Sequence, residues 1–254
     1  MSLFEALVEK VRTTLDGRGR TLSTPAGELP SPRASSGLIL KADAASELGS
    51  PEVASALTLL YSNADTDKAD LAQLIGKPLD EVSGSVPFAM AVIVSGKDLD
   101  AETFYRLTLR LPRLADHPGW MVKADKSRVW VRVAKTAATD ALEVAAATLI
   151  SRIHAAFQQI ERVELYFVID DGMLVEQLAP LAEESQKTLR EVKTGVWKDR
   201  GFDYESCALS GHCGSCADKK TCASVRKIQA RVNVVRREHR RIESQQGASS
   251  NESA

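Results

Sequence analysis

A repeated pattern, in which a compact apolar run is followed by a long helical segment, constrains the fold of this 254-residue chain most strongly. The runs are FAMAVIVSG (88–96), RVWVRVA (128–134) and VELYFVID (163–170), and the helical segments follow at about 100–115, 137–159 and 173–192. Strands that alternate with helices are typical of α/β proteins with parallel sheets. The first and third runs are almost continuously apolar, as expected of strands covered on both faces. We therefore predict an α/β fold with a mostly parallel sheet flanked by helices.

Finer features of the same region give further expectations. The run at 128–134 alternates strictly, with valines on one face and Arg128, Trp130 and Arg132 on the other, which favours a place near a sheet edge. Pro112 is expected to end or kink its helix. The α/β domain is predicted over 37–200, and an N-terminal helix with a Pro-, Gly- and Ser-rich linker precedes it over 1–36.

Three polar clusters follow the predicted strands: Ser95–Asp98, Lys135–Thr136 and Asp170–Gly172. The carboxyl ends of strands are where open α/β sheets bind ligands, so one interpretation is a shared pocket for an anion or substrate. The alternative is helix capping, because Asp and Thr side chains accept hydrogen bonds from the free N–H groups of a helix start. Capping is the favoured interpretation. The sequence SGKD lacks the glycine spacing of a phosphate-binding loop.

Composition narrows the range of functions. The formal net charge is only −1, so no global charge recruits nucleic acid or membrane. The N-terminal segment carries acidic residues and lacks the apolar run of a secretory signal, and no apolar stretch reaches the ~20 residues that span a bilayer. We expect a cytoplasmic protein, in which clustered cysteines indicate metal or redox chemistry more often than disulfides.

All four cysteines of the chain fall in one short segment, predicted as a cysteine-rich metal-binding unit over 201–223. Cys207, Cys213, Cys216 and Cys222 are spaced C-x5-C-x2-C-x5-C, and Cys213 and Cys216 flank a Gly-Ser turn that lets two thiolates converge. Four thiolates complete either a tetrahedral zinc site or the corners of a [4Fe-4S] cluster, and spacing alone does not separate the two. His212 is a minor alternative ligand, and Lys219 and Lys220 place positive charge beside the thiols.

The order of several segments resembles a known family. VPFAMAVIVSGKDLD, VWVRVAKTAA and IERVELYFVIDDGMLVEQLAPLAEES precede cysteines that follow DYESC, over residues 37–222. Together they resemble the β subunit of the CO dehydrogenase/acetyl-CoA synthase complex. The resemblance implies that Cys207, Cys213, Cys216 and Cys222 hold a [4Fe-4S] cluster, which the family bridges to a pair of nickel ions.

The sequence also departs from the pattern of that family. The family spaces its cluster cysteines as C-x2-C followed by two distant singles, and it adds a downstream C-x-C segment that binds the second nickel. No cysteine follows Cys222 in this sequence, so acetyl-CoA synthesis is not expected of this chain alone. We predict an iron–sulfur protein with an electron-transfer or accessory role in CO, one-carbon or corrinoid metabolism, with a redox or corrinoid protein as partner. The alternatives are a zinc-stabilised interaction module and a subunit of a multi-chain synthase.

A basic amphipathic helix is predicted over 224–244, before a disordered tail over 245–254. Its apolar stripe follows steps of three and four residues, and arginines and one lysine flank the stripe. The stripe consists of Val225, Ile228, Val232, Val235, His239 and Ile242. It favours self-association or a protein partner, and the alternative is a helix packed on its own domain. Binding of nucleic acid is not expected.

Overall fold

The computed structural model describes residues 4–23, 38–64, 67–97, 99–137 and 141–199, with side chains described up to residue 191. In this part of the chain the helices are α1 (Glu5–Leu15), α2 (Ala101–Ala115), α3 (Ala141–Ala156) and α4 (Gly172–Asp199). The strands are β1 (Arg20–Thr21), β2 (Ala44–Leu48), β3 (Ser55–Ser62), β4 (Leu71–Gly76), β5 (Gly84–Val86), β6 (Phe88–Ser95), β7 (Trp120–Asp125), β8 (Arg128–Ala134) and β9 (Arg162–Ile169).

The central sheet has five strands in the order β1-β4-β9-β6-β3. Strands β4 and β9 are parallel, as are β6 and β3, but β9 and β6 are antiparallel and so are β1 and β4. The α/β class is therefore confirmed, whereas the prediction of a mostly parallel sheet is wrong. In an α/β chain each element usually runs opposite to the element before it. Strand β7, which was not predicted, adds one change of direction between β6 and β9, so these two strands are antiparallel and not parallel.

The second sheet has four strands in the order β5-β2-β8-β7. Strands β7 and β8 form an antiparallel hairpin that pairs Asp125 with Arg128, and Lys126 in its turn has a positive φ of 54°. As predicted for the run 128–134, β8 lies near an edge of its sheet, because it is the neighbour of the edge strand β7 and pairs with β2 on its other side. Its alternation arises because only the valine face is fully buried.

Side chains of β9 alternate between two different environments. Phe167 points to the face that receives the ring of Trp120 from β7, with 6.2 Å between the ring centroids in an edge-on arrangement. The opposite face carries Arg162, Glu164 and Tyr166. Helix α1 packs against this face, where Arg12 of the helix contacts Glu164. An ion pair of 3.7 Å between Lys10 and Glu184 joins α1 to α4.

The predicted helices lie close to the observed ones. Helix α2 continues through Pro112 to Ala115, so the proline does not end it. The helix predicted at 137–159 corresponds to α3, Ala141–Ala156. The helix predicted at 173–192 corresponds to α4, which starts at Gly172 and extends to Asp199. Among the described helices, none has the length and apolar character that crossing a bilayer requires.

Candidate functional site

The residues predicted to bind a metal lie outside the part of the chain that the structure describes. This holds for Cys207, Cys213, Cys216 and Cys222, for His212, and for the basic helix predicted over 224–244. Within the described ranges, no group of three or more His, Cys, Asp or Glu side chains could hold a metal ion. The metal site therefore stays a prediction from sequence.

The three polar clusters do not share one edge of a sheet. Ser95 at the end of β6 pairs with Arg162 at the start of β9, while Ile169 at the end of β9 pairs with Phe88. The residues after β6 and those after β9 thus lie at opposite ends of the central sheet, and Lys135 follows a strand of the other sheet. The interpretation of the clusters as one shared pocket is wrong, because it assumed that the strands are parallel.

The capping interpretation holds at the third cluster. The Oδ1 atom of Asp171 accepts a hydrogen bond of 3.0 Å from the N–H of Leu174 in the first turn of α4. Asp170, with a φ of 58°, forms a 2.6 Å ion pair with Lys77, and this hydrogen bond with its charge attraction raises the pKa of Lys77. Lys135 donates to the carbonyl oxygen of Ala42 at 2.7 Å. These side chains stabilise loops and a helix start.

A buried group of charged and polar side chains, here called the Glu164 cluster, joins α1 to β9. It consists of Arg12, Arg162, Glu164 and Tyr166. Glu164 is only 2% exposed, and its Oε2 accepts bonds from Nε of Arg12 at 3.2 Å and from the hydroxyl of Tyr166 at 3.0 Å. A nitrogen of Arg162 lies 3.0 Å from Oε1 of Glu164, and a second nitrogen of Arg12 also contacts that oxygen.

The Glu164 cluster forms part of the wall of an open cleft of about 430 Å³ between α1 and strands β4 and β9. Burial, reinforced by the negative charge of Glu164, raises the pKa of the Tyr166 phenol, so this hydroxyl stays protonated as a donor. Each oxygen of Glu164 is matched by donors, and the paired charges hold α1 against the sheet. Sequence reasoning missed this cluster, although polar residues at every second position of the apolar run R-V-E-L-Y signal it.

His117 is a second buried titratable residue, in the turn between α2 and β7. It is 3% exposed, its ring lies parallel to that of Trp120 with 6.0 Å between centroids, and its Nδ1–H donates to the carbonyl oxygen of Pro118 at 3.0 Å. The other ring nitrogen, Nε2, is buried and has no hydrogen-bond partner among the described residues. Burial lowers the pKa of His117, and the positive charge of Arg152 acts in the same direction.

The lowered pKa of His117 predicts a loss of stability in mild acid. The unfolded chain binds a proton at this residue near pH 6.5, whereas the folded chain binds it only at lower pH, so the free energy of unfolding decreases as the pH falls through 6.5. We expect His117→Gln to reduce the difference in unfolding free energy between neutral and mildly acidic buffer, because glutamine binds no proton at this position. Urea denaturation followed by circular dichroism at both pH values measures this difference. An unchanged difference in the variant would exclude His117 as its source.

Comparison with known proteins connects this fold to a family. The family model for the CO dehydrogenase/acetyl-CoA synthase complex beta subunit matches residues 31–174, more than half of the chain. The chain belongs to this family. The resemblance seen in the sequence is thereby confirmed for the region from the linker to the start of α4. A search of curated proteins found no match.

The match to the CO dehydrogenase/acetyl-CoA synthase beta subunit family ends before the cysteines. It covers β2 to β9 and the first residues of α4, including Glu164 and His117, and it stops 33 residues before Cys207. The family match therefore covers the α/β domain up to the start of α4 and does not include the cysteine segment.

Proposed function

We propose that this chain is an iron–sulfur subunit of a system related to the CO dehydrogenase/acetyl-CoA synthase complex. In this proposal, Cys207, Cys213, Cys216 and Cys222 hold one [4Fe-4S] cluster. The observation that carries the proposal is the combination of a beta-subunit scaffold over 31–174 with all four cysteines of the chain in the next part of the sequence.

The donor set fits such a cluster. Each of its irons needs one thiolate, and the four cysteines supply that number without a histidine or carboxylate. Lys219 and Lys220 in the same segment favour thiolate over thiol and offset the negative charge of a thiolate-ligated cluster. A cysteine segment of this kind requires no ligand from the described domain.

The role that we assign is electron transfer or an accessory function in CO, one-carbon or corrinoid metabolism. A bound cluster supplies one-electron redox chemistry, and the chain supplies the thiolates and the charges around them. The family is named for a subunit of a complex, so we propose that the chain works with a protein partner, a redox or corrinoid protein. The apolar stripe of the basic helix predicted over 224–244 is the proposed contact surface.

Loss of one thiol provides the test. We expect Cys213→Ser and Cys216→Ser each to remove most of the iron, the acid-labile sulfide and the visible absorbance of anaerobically purified protein, because each cysteine ligates one iron. The far-ultraviolet circular dichroism of the α/β domain should be retained. Ser215→Ala, between the same two cysteines, is the matched control and should keep about four irons per chain.

Other results would contradict the proposal. Colourless protein that contains zinc would favour a zinc-stabilised interaction module. Retention of the cluster in both serine variants would show that Cys213 and Cys216 are not ligands. If the chain gains CO/acetyl-CoA exchange activity only after addition of another subunit, the multi-chain synthase would replace the electron-transfer role.

A further inference from the structure

A groove lies beside the edge strand β3, between α2, α4 and the turn of the β7–β8 hairpin. The buried residues Leu57 and Leu59 of β3 line it, and Leu109, Pro112 and Leu189 add apolar surface from the two helices. Its volume of about 280 Å³ is just below the ~300–1,000 Å³ that small-molecule sites occupy. The groove therefore suits an apolar side chain of a larger partner better than a complete small molecule.

The backbone of β3 decides how such a partner is recognised. Strand β3 pairs with β6 on one side only. On the other side, the N–H of Leu57 donates to the carbonyl oxygen of Ser127 at 2.7 Å, and the carbonyl oxygen of Leu59 accepts from the hydroxyl of Ser185 at 2.6 Å. A strand added to this edge would need both of these backbone groups. A partner is therefore recognised through its side chains and not by strand addition.

Leu109 extends the apolar surface of the groove into solvent. Its side chain is 55% exposed, whereas Leu111 and Leu189, which line the same groove, are 1% and 9% exposed. A single exposed leucine on a protein surface needs no explanation. Leu109, however, is continuous with a recess that the buried leucines line, and a partner that covers it removes one connected apolar surface from water.

The charges around this groove are positive. Lys126 and Arg190 line it with exposed side chains, and no carboxylate is among the described residues that line it. Arg106 and Arg113 are exposed and lie three residues before and four residues after Leu109, so they flank it on the surface of α2. The only acidic residue of α2 is Glu102, in its first turn. The groove thus combines an apolar recess with a cationic border.

We propose that this groove is the docking site for an acidic peptide segment of a partner protein. In this proposal a leucine or phenylalanine of the segment enters the recess beside Leu109 and Leu189, and flanking carboxylates pair with Lys126 and Arg190. The complementary charges select the partner and speed its association, while the apolar anchor supplies most of the binding energy. This surface belongs to the α/β domain and not to the cysteine segment, so the inference goes beyond the function proposed above and does not depend on a bound cluster.

The experiment measures binding of three short fluorescein-labelled peptides to the full chain by fluorescence anisotropy. The first, EEELFEEE, carries both the charges and the apolar anchor. In QQQLFQQQ the charges are removed, and in EEEGGEEE the anchor is removed. We expect each of the two altered peptides to bind about tenfold more weakly than the first or worse, because each lacks one half of the recognition. Added salt should weaken binding of EEELFEEE and leave that of QQQLFQQQ unchanged.

Variants of the groove locate the binding site of EEELFEEE. Leu109→Ser should weaken binding by about fivefold, because it removes apolar contact area. Arg190→Gln and Lys126→Asn should each weaken it by about threefold, as expected for exposed ion pairs; asparagine tolerates the positive φ of 54° at position 126. The matched controls are Met173→Ser, an exposed apolar residue, and Arg18→Gln, an exposed cation, both outside the groove. Both controls should bind as the parent does.

Several results would overturn the proposal. Equal affinities for the three peptides, or no saturable binding of EEELFEEE up to about 1 mM, would show that the groove does not recognise an acidic segment. Binding that Leu109→Ser, Arg190→Gln and Lys126→Asn all leave unchanged would place the peptide on another basic part of the chain. If light scattering shows self-association that Leu109→Ser abolishes, a second copy of this chain is the occupant. Circular dichroism of each variant verifies that it is folded.

Discussion

Replacement of Glu164 by alanine is expected to lower the free energy of unfolding by about 3–5 kcal/mol, because it leaves buried cations without their partner. The side chain of Arg162 is 7% exposed and that of Arg12 is 20% exposed, and both face the carboxylate of Glu164. The hydroxyl of Tyr166 loses its acceptor in the same variant. Urea denaturation followed by circular dichroism measures the change.

The matched control for Glu164 is Glu9→Ala. Glu9 also pairs with Arg12, at 3.1 Å, but its side chain is 70% exposed, so its removal should cost at most about 0.5 kcal/mol. The difference between the two variants isolates burial, since both remove a carboxylate from the same guanidinium group. Similar losses in the two variants would mean that water reaches the Glu164 cluster and solvates its arginines. Glu164→Gln, which keeps an acceptor for Tyr166, should lie between them.

Much of the α/β domain could be predicted from local pattern. The run 88–96 contains β6, 128–134 coincides with β8, and 163–170 overlaps β9. These strands were recognisable because apolar, β-branched residues continue without a break or alternate regularly over at least seven positions. Strand β3 carries an equally apolar run, SALTLLYS at 55–62, with every residue buried, but no regular helix follows it. Strand β3 therefore lacks the strand–helix pattern that marks β6, β8 and β9 in the sequence.

The direction and pairing of the strands could not be predicted from local sequence pattern. Nothing in the sequence of β9 alone indicates that it pairs parallel to β4 and antiparallel to β6. That arrangement depends on the number of reversals between the strands, and the short strand β7 was missed because its apolar residues, Trp120 to Val122, fill only its first half. The error in topology then misplaced the polar clusters, which were expected to converge at one sheet edge.

The candidate sites also differ in whether the local sequence reveals them. The four cysteines stand out in the sequence because of their spacing, and donor chemistry makes them candidate metal ligands. The choice of a [4Fe-4S] cluster over zinc comes from the resemblance to the family. The Glu164 cluster depends on tertiary contacts between distant segments. Arg12 and Glu164 are 152 positions apart, for example. No local pattern predicts such a contact, although a carboxylate and an arginine within a buried strand indicate that partners must exist.

Truncation of Trp120 to alanine is expected to destabilise the protein by about 3–5 kcal/mol, the range for a large buried aromatic residue. Trp120 is 2% exposed and belongs to the second sheet, while its edge-on partner Phe167 belongs to the central sheet and lies 6.3 Å from Phe88. The ring also covers His117. Trp120 is therefore a direct link between the two sheets, and its loss opens a cavity that neither sheet can close alone.

A suitable control for Trp120 is Leu109→Ala on α2. Leu109 is 55% exposed, so its truncation should change the free energy of unfolding by no more than about 0.5 kcal/mol. Trp120→Phe should recover part of the loss, because phenylalanine can still contact Phe167 but fills less volume. If Trp120→Ala and Leu109→Ala had similar midpoints in urea, the two sheets would be held together by contacts other than this aromatic group. A broad, non-coincident transition in Trp120→Ala would instead show that the β7–β8 hairpin unfolds separately from the central sheet.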